Sequence, residues 1–217
     1  METKTNLKSD AYQYIKERIL TCEIMPGQAI SEKQIMETFG IGRTPVREAL
    51  IMLQSENLVE AYPRSGTIAK PITLESVNEL FELRKLIEPN VATQFVRSIN
   101  LDDLLVRDRS LKSICMISDE KSILSFYQED IALHAYLIAC TCNSQLIGVC
   151  TPLFEQSLRV GMLGAKSHTS SSSEQTYQEH NRIVKAILEE DMQEIRNAFI
   201  AHLNAARMSA IQSVKNL

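Results

Sequence analysis

Residues 31–50, SEKQIMETFGIGRTPVREAL, constrain the fold most, because they carry signals for two short helices separated by a tight turn. Ser31 and Gln34 have the spacing of a capping box, in which these side chains satisfy the first free backbone groups of a helix. Gly40 is the residue type that most often ends a helix. The first helix is therefore predicted to begin at Ser31 and to end at Gly40.

The second helix is predicted to begin a few residues further on. Thr44 is a good N-cap, and Pro45 is favoured at the first helical position because its missing N–H has no partner to lose there. The apolar residues that follow have the spacing of one buried helix face: Val46, Ala49, Leu50 and Leu53. Two helices joined by such a short turn are typical of a helix-turn-helix.

The segments on either side complete a small domain. Residues 10–22 have a helical spacing of apolar side chains, which predicts a helix before the pair. Residues 58–62 and 67–70 are short runs of strand-forming residues that flank PRSG at 63–66, a sequence typical of a hairpin turn. The expected fold of residues 1–72 is a winged helix-turn-helix.

Arg43 and Arg47 lie at the start of the second helix, where the helix dipole disfavours positive charge. A phosphate or a guanine edge would turn that cost into a favourable contact, because a helix-turn-helix places the start of its second helix in the major groove. The alternative is a pair of solvated arginines on an ordinary helix. Overall charge does not favour DNA, since the chain has a net charge of −4 and residues 1–72 hold nine basic and nine acidic residues.

From Thr73 onward the sequence pattern is helical almost throughout. Helical stretches are predicted at 74–99 and at about 101–117, 120–141, 143–164, 174–189 and 191–214. A serine-rich segment, KSHTSSSSEQ, is predicted to be an exposed connection that carries His168. We therefore expect a mainly α protein with a domain boundary near residue 72, and we call residues 1–72 the head and residues 73–217 the all-α body.

Asp130 and His134 are four residues apart, which places both on one face of a predicted helix whose other residues on that face are apolar. A buried carboxylate beside an imidazole is costly unless something compensates for it. A structural hydrogen bond within the pair is one solution, and a metal ion is the other. His180 and His202, each in a strongly helical stretch, favour the metal, since three histidines and one carboxylate suit zinc or nickel and leave room for a ligand oxygen.

Cysteine usage and hydropathy bear on the compartment. The five cysteines are an odd number without the spacing of a metal finger, and no apolar run approaches the ~18 residues of a membrane span. The first residues, METKTNLKSD, have no apolar signal core. We expect a soluble protein of a reducing cytoplasm with free thiols and no membrane partner, although Cys140 and Cys142 could form a redox or metal pair.

The head resembles a known family. GRTPVREAL, with SEKQIMETFGI before it and LQSENLV and RSGTIA after it, is similar to the DNA-binding domain of the GntR superfamily of bacterial transcription regulators over about residues 8–72. The resemblance implies operator DNA as a partner, contacted by Arg43, Thr44 and Arg47, with a wing tip that reaches the minor groove at Gly66. Lys33 stands where many members have arginine, which implies a point-charge contact to phosphate in place of a two-pronged contact to guanine.

The body resembles the FCD class of ligand-binding domains, named for the C-terminal domain of a fatty-acid regulator. The likeness covers about residues 73–214, and it rests on the D-x-x-x-H pair with a later asparagine, on FELRKLIEP and on EHNRIVKAILEEDMQEIRNAFIAHL. It implies metal binding by Asp130, His134, His180 and His202. It also implies binding of a carboxylate effector by Arg84 and Asn143, for which a surface or dimer-interface salt bridge and a helix cap are the respective alternatives. The short body favours the six-helix variant of this class over the seven-helix one.

Together these features predict a ligand-responsive transcription regulator that binds a pseudo-palindromic operator as a homodimer. Repression relieved by a small organic or sugar acid is the expected mode, with activation as the alternative. Two other classes stay open: a metal-dependent enzyme joined to a DNA-binding head, and a regulator whose metal is purely structural. No separate general base is evident near the proposed metal ligands, which favours a regulator over an enzyme.

Overall fold

A computed structural model describes residues 2–63, 66–115, 120–166 and 173–217. Backbone contacts divide the chain into two compact units, Met1–Ile72 and Thr73–Leu217. The secondary structure is mainly helical, with one small sheet in the first unit, which confirms the predicted fold class.

The described residues of the head form three helices and a three-stranded antiparallel sheet. The helices are α1 (Glu2–Leu20), α2 (Glu32–Phe39) and α3 (Arg43–Ser55). The strands are β1 (Ala29–Ile30), β2 (Val59–Tyr62) and β3 (Gly66–Ala69), in the spatial order β1-β3-β2. Val59 lies opposite Ala69 and Tyr62 opposite Gly66, so β2 and β3 form the predicted wing. Arg64 and Ser65, in the predicted turn between them, lie outside the described residues.

Local sequence determines both ends of α2. The Ser31 side chain accepts a hydrogen bond from the backbone N–H of Gln34 at 3.2 Å, which satisfies one of the free donors of the first turn. At the other end, Gly40 has a φ of 60°, and its N–H donates to the carbonyl of Met36. Residues with a side chain are strained in this left-handed conformation, so glycine allows the chain to turn towards α3. The predicted bounds of this helix are confirmed.

The start of α3 differs from the prediction. Gly42, and not Thr44, is the N-cap; its backbone is extended and no side chain caps the helix. Arg43 is therefore the first helical residue and Thr44 the second, and Pro45 follows within the first turn. The first four N–H groups of a helix have no intrahelical acceptor, so proline is tolerated throughout this turn and does not mark its first position.

The head core lies where α1, α3 and the sheet meet. Ile15 and Ile19 of α1, Leu53 of α3 and Leu58 before β2 are all at most 1% exposed. Burying a side chain of this kind stabilises a fold by about 1.5–3 kcal/mol. The same packing holds α3 against α2 and leaves the polar residues of their first turns at the surface.

The described residues of the body form six α-helices, as expected of the six-helix variant. They are α4 (Leu74–Gln94), α5 (Leu101–Cys115), α6 (Glu120–Ala139), α7 (Ser144–Lys166), α8 (Ser173–Leu188) and α9 (Met192–Lys215), with a short 3-10 turn at Val96–Ser98. Within the described ranges, no helix combines the length and apolar character that a membrane span requires. His168 and most of the serine-rich segment lie outside the described residues.

The centre of the body is built by four of these helices. α9 packs against α4 and α8, while α6 packs against α4. Phe199 of α9, Leu133 of α6 and Ile183 of α8 belong to one apolar cluster and are at most 2% exposed. Polar side chains from the same helices therefore lie in an environment with little access to water.

Candidate metal centre and nucleic-acid interface

Four polar side chains that the sequence singles out come together in the middle of the body. Asp130 and His134 project from α6, His180 from α8 and His202 from α9. Each offers one ligand atom, and these atoms all lie within 4.8 Å of one another. His180 is completely buried, and Asp130, the most accessible of the four, is only 8% exposed. The structure thus gathers side chains from three helices into one buried cluster.

Hydrogen bonds outside the cluster determine which nitrogen of His180 and of His202 faces inward. Nδ1 of His180 lies 2.8 Å from the carbonyl oxygen of Thr176. A carbonyl can only accept, so this nitrogen carries the proton and donates it. Nδ1 of His202 donates to Oε2 of Glu179 at 3.0 Å. A neutral imidazole protonated on Nδ1 keeps its lone pair on Nε2, so both rings offer a donor atom to the cluster.

His134 lies beside Glu88 of α4. Its Nδ1 lies 2.6 Å from Oε2 of Glu88, although the carboxylate is off the N–H axis and the contact is not a well-aligned hydrogen bond. Burial opposes the charge of Glu88, but Arg84 and His134 outweigh it and lower the pKa of Glu88 to about 2. The carboxylate is therefore ionised at neutral pH and favours a proton on Nδ1 of His134.

Burial also keeps two of the histidines neutral. It lowers the pKa of His180, against the attraction of Asp130, and it lowers the pKa of His202 well below its ordinary value, with His180 adding to that effect. Neutral imidazole is the form that binds a metal. His180 and His202 therefore offer unprotonated donors at neutral pH.

The chemistry of this donor set fits a divalent cation. Nε2 of His134 lies 3.1 Å from Nε2 of His180, which lies 3.2 Å from Oδ1 of Asp130. The proton of His180 lies on Nδ1, so its Nε2 presents a lone pair to both of these neighbours. A cation among the three atoms would be coordinated by all of them. Three imidazole nitrogens and one carboxylate oxygen are a suitable set for zinc or nickel, and zinc can take a fifth ligand.

A pocket opens beside the cluster. It encloses about 590 Å³ including its open mouth, and Asp130 and His202 form part of its wall. Further polar residues line it: Arg84, Ser157, Thr176, Glu179, Ser209 and Ser213. Apolar side chains such as Phe81 and Val160 complete the wall. A molecule in this pocket would meet two side chains of the cluster, a guanidinium and several hydroxyls together.

Arg84 is a buried residue of this wall, with its charge already paired. Its Nε donates to Oε1 of Glu88 at 2.5 Å, and its Nη1 donates to Oγ of Ser157 at 3.1 Å. The guanidinium lies 5.6 Å from the ring centre of Phe81 and 5.7 Å from that of Phe154, within the range of cation–π attraction. Arg84 thus forms a buried salt bridge within one chain, which differs from the surface or dimer-interface salt bridge that the sequence left open. These contacts hold a planar cation in one orientation at the pocket.

Asn143, which the resemblance assigns to the effector, lies elsewhere. It is exposed, and its Oδ1 accepts hydrogen bonds from the backbone N–H groups of Gln145 and Leu146 at 3.0 and 3.1 Å. These are the contacts of a cap at the start of α7. Asn143 does not belong to the described lining of the pocket, and the helix cap accounts for its position.

Three residues that contact the outer nitrogens of the cluster histidines are not predicted from the sequence. Glu88, Thr176 and Glu179 each meet Nδ1 of one cluster histidine. Thr176 acts through its backbone, which leaves no signal in the residue type. Glu88 follows Arg84 by four positions, and this charged pair on an otherwise apolar helix face was a usable sign of a buried ion pair.

The residues predicted to contact DNA are exposed at the first turns of α2 and α3: Lys33, Arg43, Thr44 and Arg47. The side chains of Arg43 and Arg47 are 67% and 60% exposed. Their Nε atoms lie 3.9 Å and 3.3 Å from Oε2 of Glu32, the first residue of α2. The two helices thus present one cationic surface with a carboxylate between its arginines.

Gly66 is exposed at the first position of β3, at the end of the wing. Its φ of 92° lies in the region where a side chain is strained, so the backbone itself requires glycine here. Any role of Gly66 at the minor groove is additional to this requirement.

A winged helix-turn-helix with exposed arginines on its second helix, followed by a helical body that contains a polar pocket, defines a DNA-binding transcription regulator. The chain belongs to the GntR family of bacterial regulators and carries an FCD domain. The family model described as "Bacterial regulatory proteins, gntR family" matches residues 7–68, and the model of the FCD domain matches residues 79–205. Both resemblances seen in the sequence are confirmed.

Individual relatives agree with this assignment. An uncharacterised helix-turn-helix regulator from Streptomyces ambofaciens is 26% identical over 205 residues, which cover 93% of this chain and 84% of the relative. The gluconate operon transcriptional repressor of Bacillus licheniformis is 23% identical over 82% of this chain and 74% of its own length. A putative GntR regulator from Rhodococcus sp. RHA1 has the same fold, with a TM-score of 0.80 at 16% identity over 94% of this chain and 97% of its own.

Family membership also distinguishes a transcription regulator from a metal-dependent enzyme, the two classes of function that the sequence left open. GntR and FCD proteins are transcription regulators, and the relatives are named as such. The chain is therefore a regulator and not an enzyme, which confirms the prediction.

Proposed function

We propose that this regulator is a repressor that a small carboxylate releases from DNA, and that the carboxylate is sensed at a divalent metal in the body. One observation carries the proposal: Asp130 and three histidines with inward-facing Nε2 atoms adjoin a pocket that also contains Arg84. In this proposal residues 1–72 bind the operator, and residues 73–217 bind the effector and dimerise.

The proposed metal ligands are Asp130, His134, His180 and His202, with zinc or nickel as the ion. This assignment is supported by the oxygen atoms that lie beside the outer ring nitrogens of the histidines. A metal-ligating histidine usually donates its other N–H to a carboxylate or carbonyl that fixes the ring. When bound, the ion supplies a Lewis-acidic position for an effector oxygen. The chain's own residues orient the ligands and keep them dry. A cluster with no such acceptors would fit a metal less well.

The pocket wall favours a hydroxylated acid with one carboxylate. Arg84 provides a fixed cation for the carboxylate, and Ser157, Ser209 and Ser213 provide hydroxyl groups for hydrogen bonds. Glu179 lies in the same wall and would repel a second carboxylate. A sugar acid such as gluconate has this chemistry, and the Bacillus licheniformis relative is by name the repressor of a gluconate operon.

On DNA, the proposal assigns the start of α3 to the major groove. Arg43, Thr44 and Arg47 would contact bases or phosphates there, Lys33 a phosphate, and the wing at Gly66 the minor groove. Two such heads in a homodimer would match a pseudo-palindromic operator with half-sites about one DNA turn apart. The operator of a bacterial regulator lies in the cytoplasm, which is the proposed location of this protein.

Effector release from DNA tests the proposal. A duplex is first selected by the full-length protein from a randomised pool and labelled with a fluorophore. Gluconate is then titrated into the complex, with the protein either loaded with zinc or stripped by a chelator. We expect gluconate to weaken operator binding by about 5–150-fold, the usual size of allosteric coupling, and only when zinc is present.

Two histidine variants sharpen this experiment. His134→Ala should lose the response to gluconate, whereas His168→Ala, which alters the one histidine outside the cluster, should keep it. Glucuronate and lactate extend the titration to other hydroxy acids. A zinc-loaded protein that responds to none of these acids would contradict the proposed effector class. Unfolding of the body on removal of zinc would indicate a structural metal instead.

A further inference from the structure

Glu32 places a carboxylate between the two arginines of the recognition helix. Its oxygens lie 3.3 and 3.4 Å from Nε of Arg47, and Oε2 lies 3.9 Å from Nε of Arg43. The side chain of Glu32 is 32% exposed, about half as much as those of the arginines. The carboxylate therefore lies beneath the cationic surface, on the protein side of the arginines.

Stability gives little reason for this arrangement. Salt bridges at exposed arginines add between nothing and about 1 kcal/mol. The dipole of α2 does favour an acidic residue in its first turn, but it requires no contact with Arg43 or Arg47. The position of the carboxylate relative to α3 thus needs another explanation.

The carboxylate of Glu32 should also weaken binding to DNA. The duplex carries one negative charge about every 1.7 Å along its axis, so an acidic group next to the contact surface weakens binding to any sequence. A regulator selected only for strong binding would have a neutral residue here. A carboxylate that improves discrimination between sequences would compensate for the loss.

The contact at Nε indicates how Glu32 could improve discrimination between DNA sequences. A carboxylate at Nε leaves the two terminal nitrogens of a guanidinium available, and these nitrogens form the fork that binds O6 and N7 of guanine. Holding the side chain in one orientation before binding removes part of the entropy that each arginine would otherwise lose on DNA. The contact is closer for Arg47 than for Arg43, so Arg47 should depend on it more.

We propose that Glu32 is a positioning residue for operator recognition: it orients Arg47, and to a smaller extent Arg43, so that their terminal nitrogens read the operator. The inference rests on the proposed DNA contacts of these arginines. Ordering one arginine corresponds to about 2–10-fold in affinity, so loss of Glu32 should lower the preference for operator over random DNA by roughly tenfold.

The experiment compares specific with non-specific binding. Full-length protein and its Glu32→Gln and Glu32→Asp variants are titrated against the duplex selected by the wild-type protein and against a scrambled duplex, with fluorescence anisotropy as the readout. Glu48→Gln is the matched control, because Glu48 is an acidic residue of α3 whose described ion pair is with Lys8. Thermal melting of each variant verifies that the head is folded.

We expect Glu32→Gln to bind the selected duplex roughly tenfold less tightly relative to the scrambled one, while its affinity for the scrambled duplex stays equal or rises. Glu32→Asp keeps the charge but shortens the reach, so it should lose specificity without a gain in non-specific binding. Glu48→Gln should change both affinities alike. An increase of both affinities by the same factor in Glu32→Gln would overturn the proposal, because Glu32 would then act only by repelling phosphate.

A separate result would show that the proposed recognition of an operator by the head is wrong. If the wild-type protein enriches no sequence from the pool, the proposed operator recognition fails, and the role of Glu32 fails with it. If a sequence is enriched and Glu32→Asp retains full specificity, only the positioning role is contradicted.

Discussion

Replacing Glu179 by alanine should weaken metal binding while leaving all four proposed ligands in place. Glu179 accepts the hydrogen bond from Nδ1 of His202 at 3.0 Å, and it is the only charged partner of that ring in the described contacts. Without it, the ring can rotate or protonate on the wrong nitrogen, and Nε2 no longer offers its lone pair in a fixed direction.

The size of the effect follows from the burial of His202. Loss of an outer partner of a metal ligand typically costs about 10–100-fold in affinity, or about 1.4–2.7 kcal/mol. His202 is 2% exposed, so its Nδ1–H would also be left without a water partner, which costs about 1–3 kcal/mol of folding stability. Removal of Glu179 offsets part of that cost, because burial raises the pKa of this carboxyl and so disfavours its charged form.

The assay is competition for zinc between the protein and a chromophoric chelator. Glu179→Gln retains an oxygen that can accept from Nδ1, so it should lose less than tenfold in affinity. Glu174→Ala, at an exposed position of the same helix, is the control and should bind zinc like the wild type. A Glu179→Ala protein with wild-type zinc affinity would refute the assignment of this residue as the support of His202.

Three further predictions concern the head, the pocket and pH. Arg47→Ala should weaken operator binding by about 5–150-fold, the value of one good base contact of about 1–3 kcal/mol, and leave dimerisation intact; an unchanged affinity in a gel-shift titration would contradict its role. Arg84→Lys keeps a positive charge beside Glu88 but loses the planar guanidinium. Calorimetry should therefore show weaker gluconate binding with zinc retained. An unchanged gluconate affinity would exclude contact between Arg84 and the carboxylate. Burial lowers the pKa of His180 and His202 in the folded state, so the unfolded chain binds more protons below about pH 6.5 and the metal-free protein should become less stable there. Its melting temperature should fall between pH 7.5 and 5.5, and a constant or rising value would show that these histidines are not buried in neutral form.

The parts of the fold that depend on local sequence could be predicted. Ser31 and Gly40 define α2 because caps act within one turn of the residues that form them. The predicted N-cap of α3 lies two residues too late, since Thr44 and Gly42 can both begin a helix and packing selects between them. Strand β1 was not predicted, because its two residues show no periodicity and exist as a strand only through pairing with β3.

In the candidate site, too, features that depend on local spacing are predictable from sequence, and features that depend on helix packing are not. The four-residue spacing of Asp130 and His134 places them on one helix face from sequence alone, whereas their approach to His180 depends on α5, which packs against both α6 and α8. The contact between Glu88 and His134 depends on the packing of α4 against α6, which no local pattern records. For Asn143 the local alternative, a helix cap, describes its contacts, and the role implied by the resemblance stays a prediction.

The metal content of the purified protein decides whether the buried cluster of the body binds a metal ion. Wild-type protein is stripped with a chelator, reloaded with zinc, passed through a desalting column and measured by elemental analysis beside His134→Ala. We expect one zinc ion per wild-type chain and loss of stoichiometric zinc in the variant, because His134 provides one of the four buried donors. Full occupancy in His134→Ala, or no retained zinc in the wild-type protein, would show that the cluster is not the metal site.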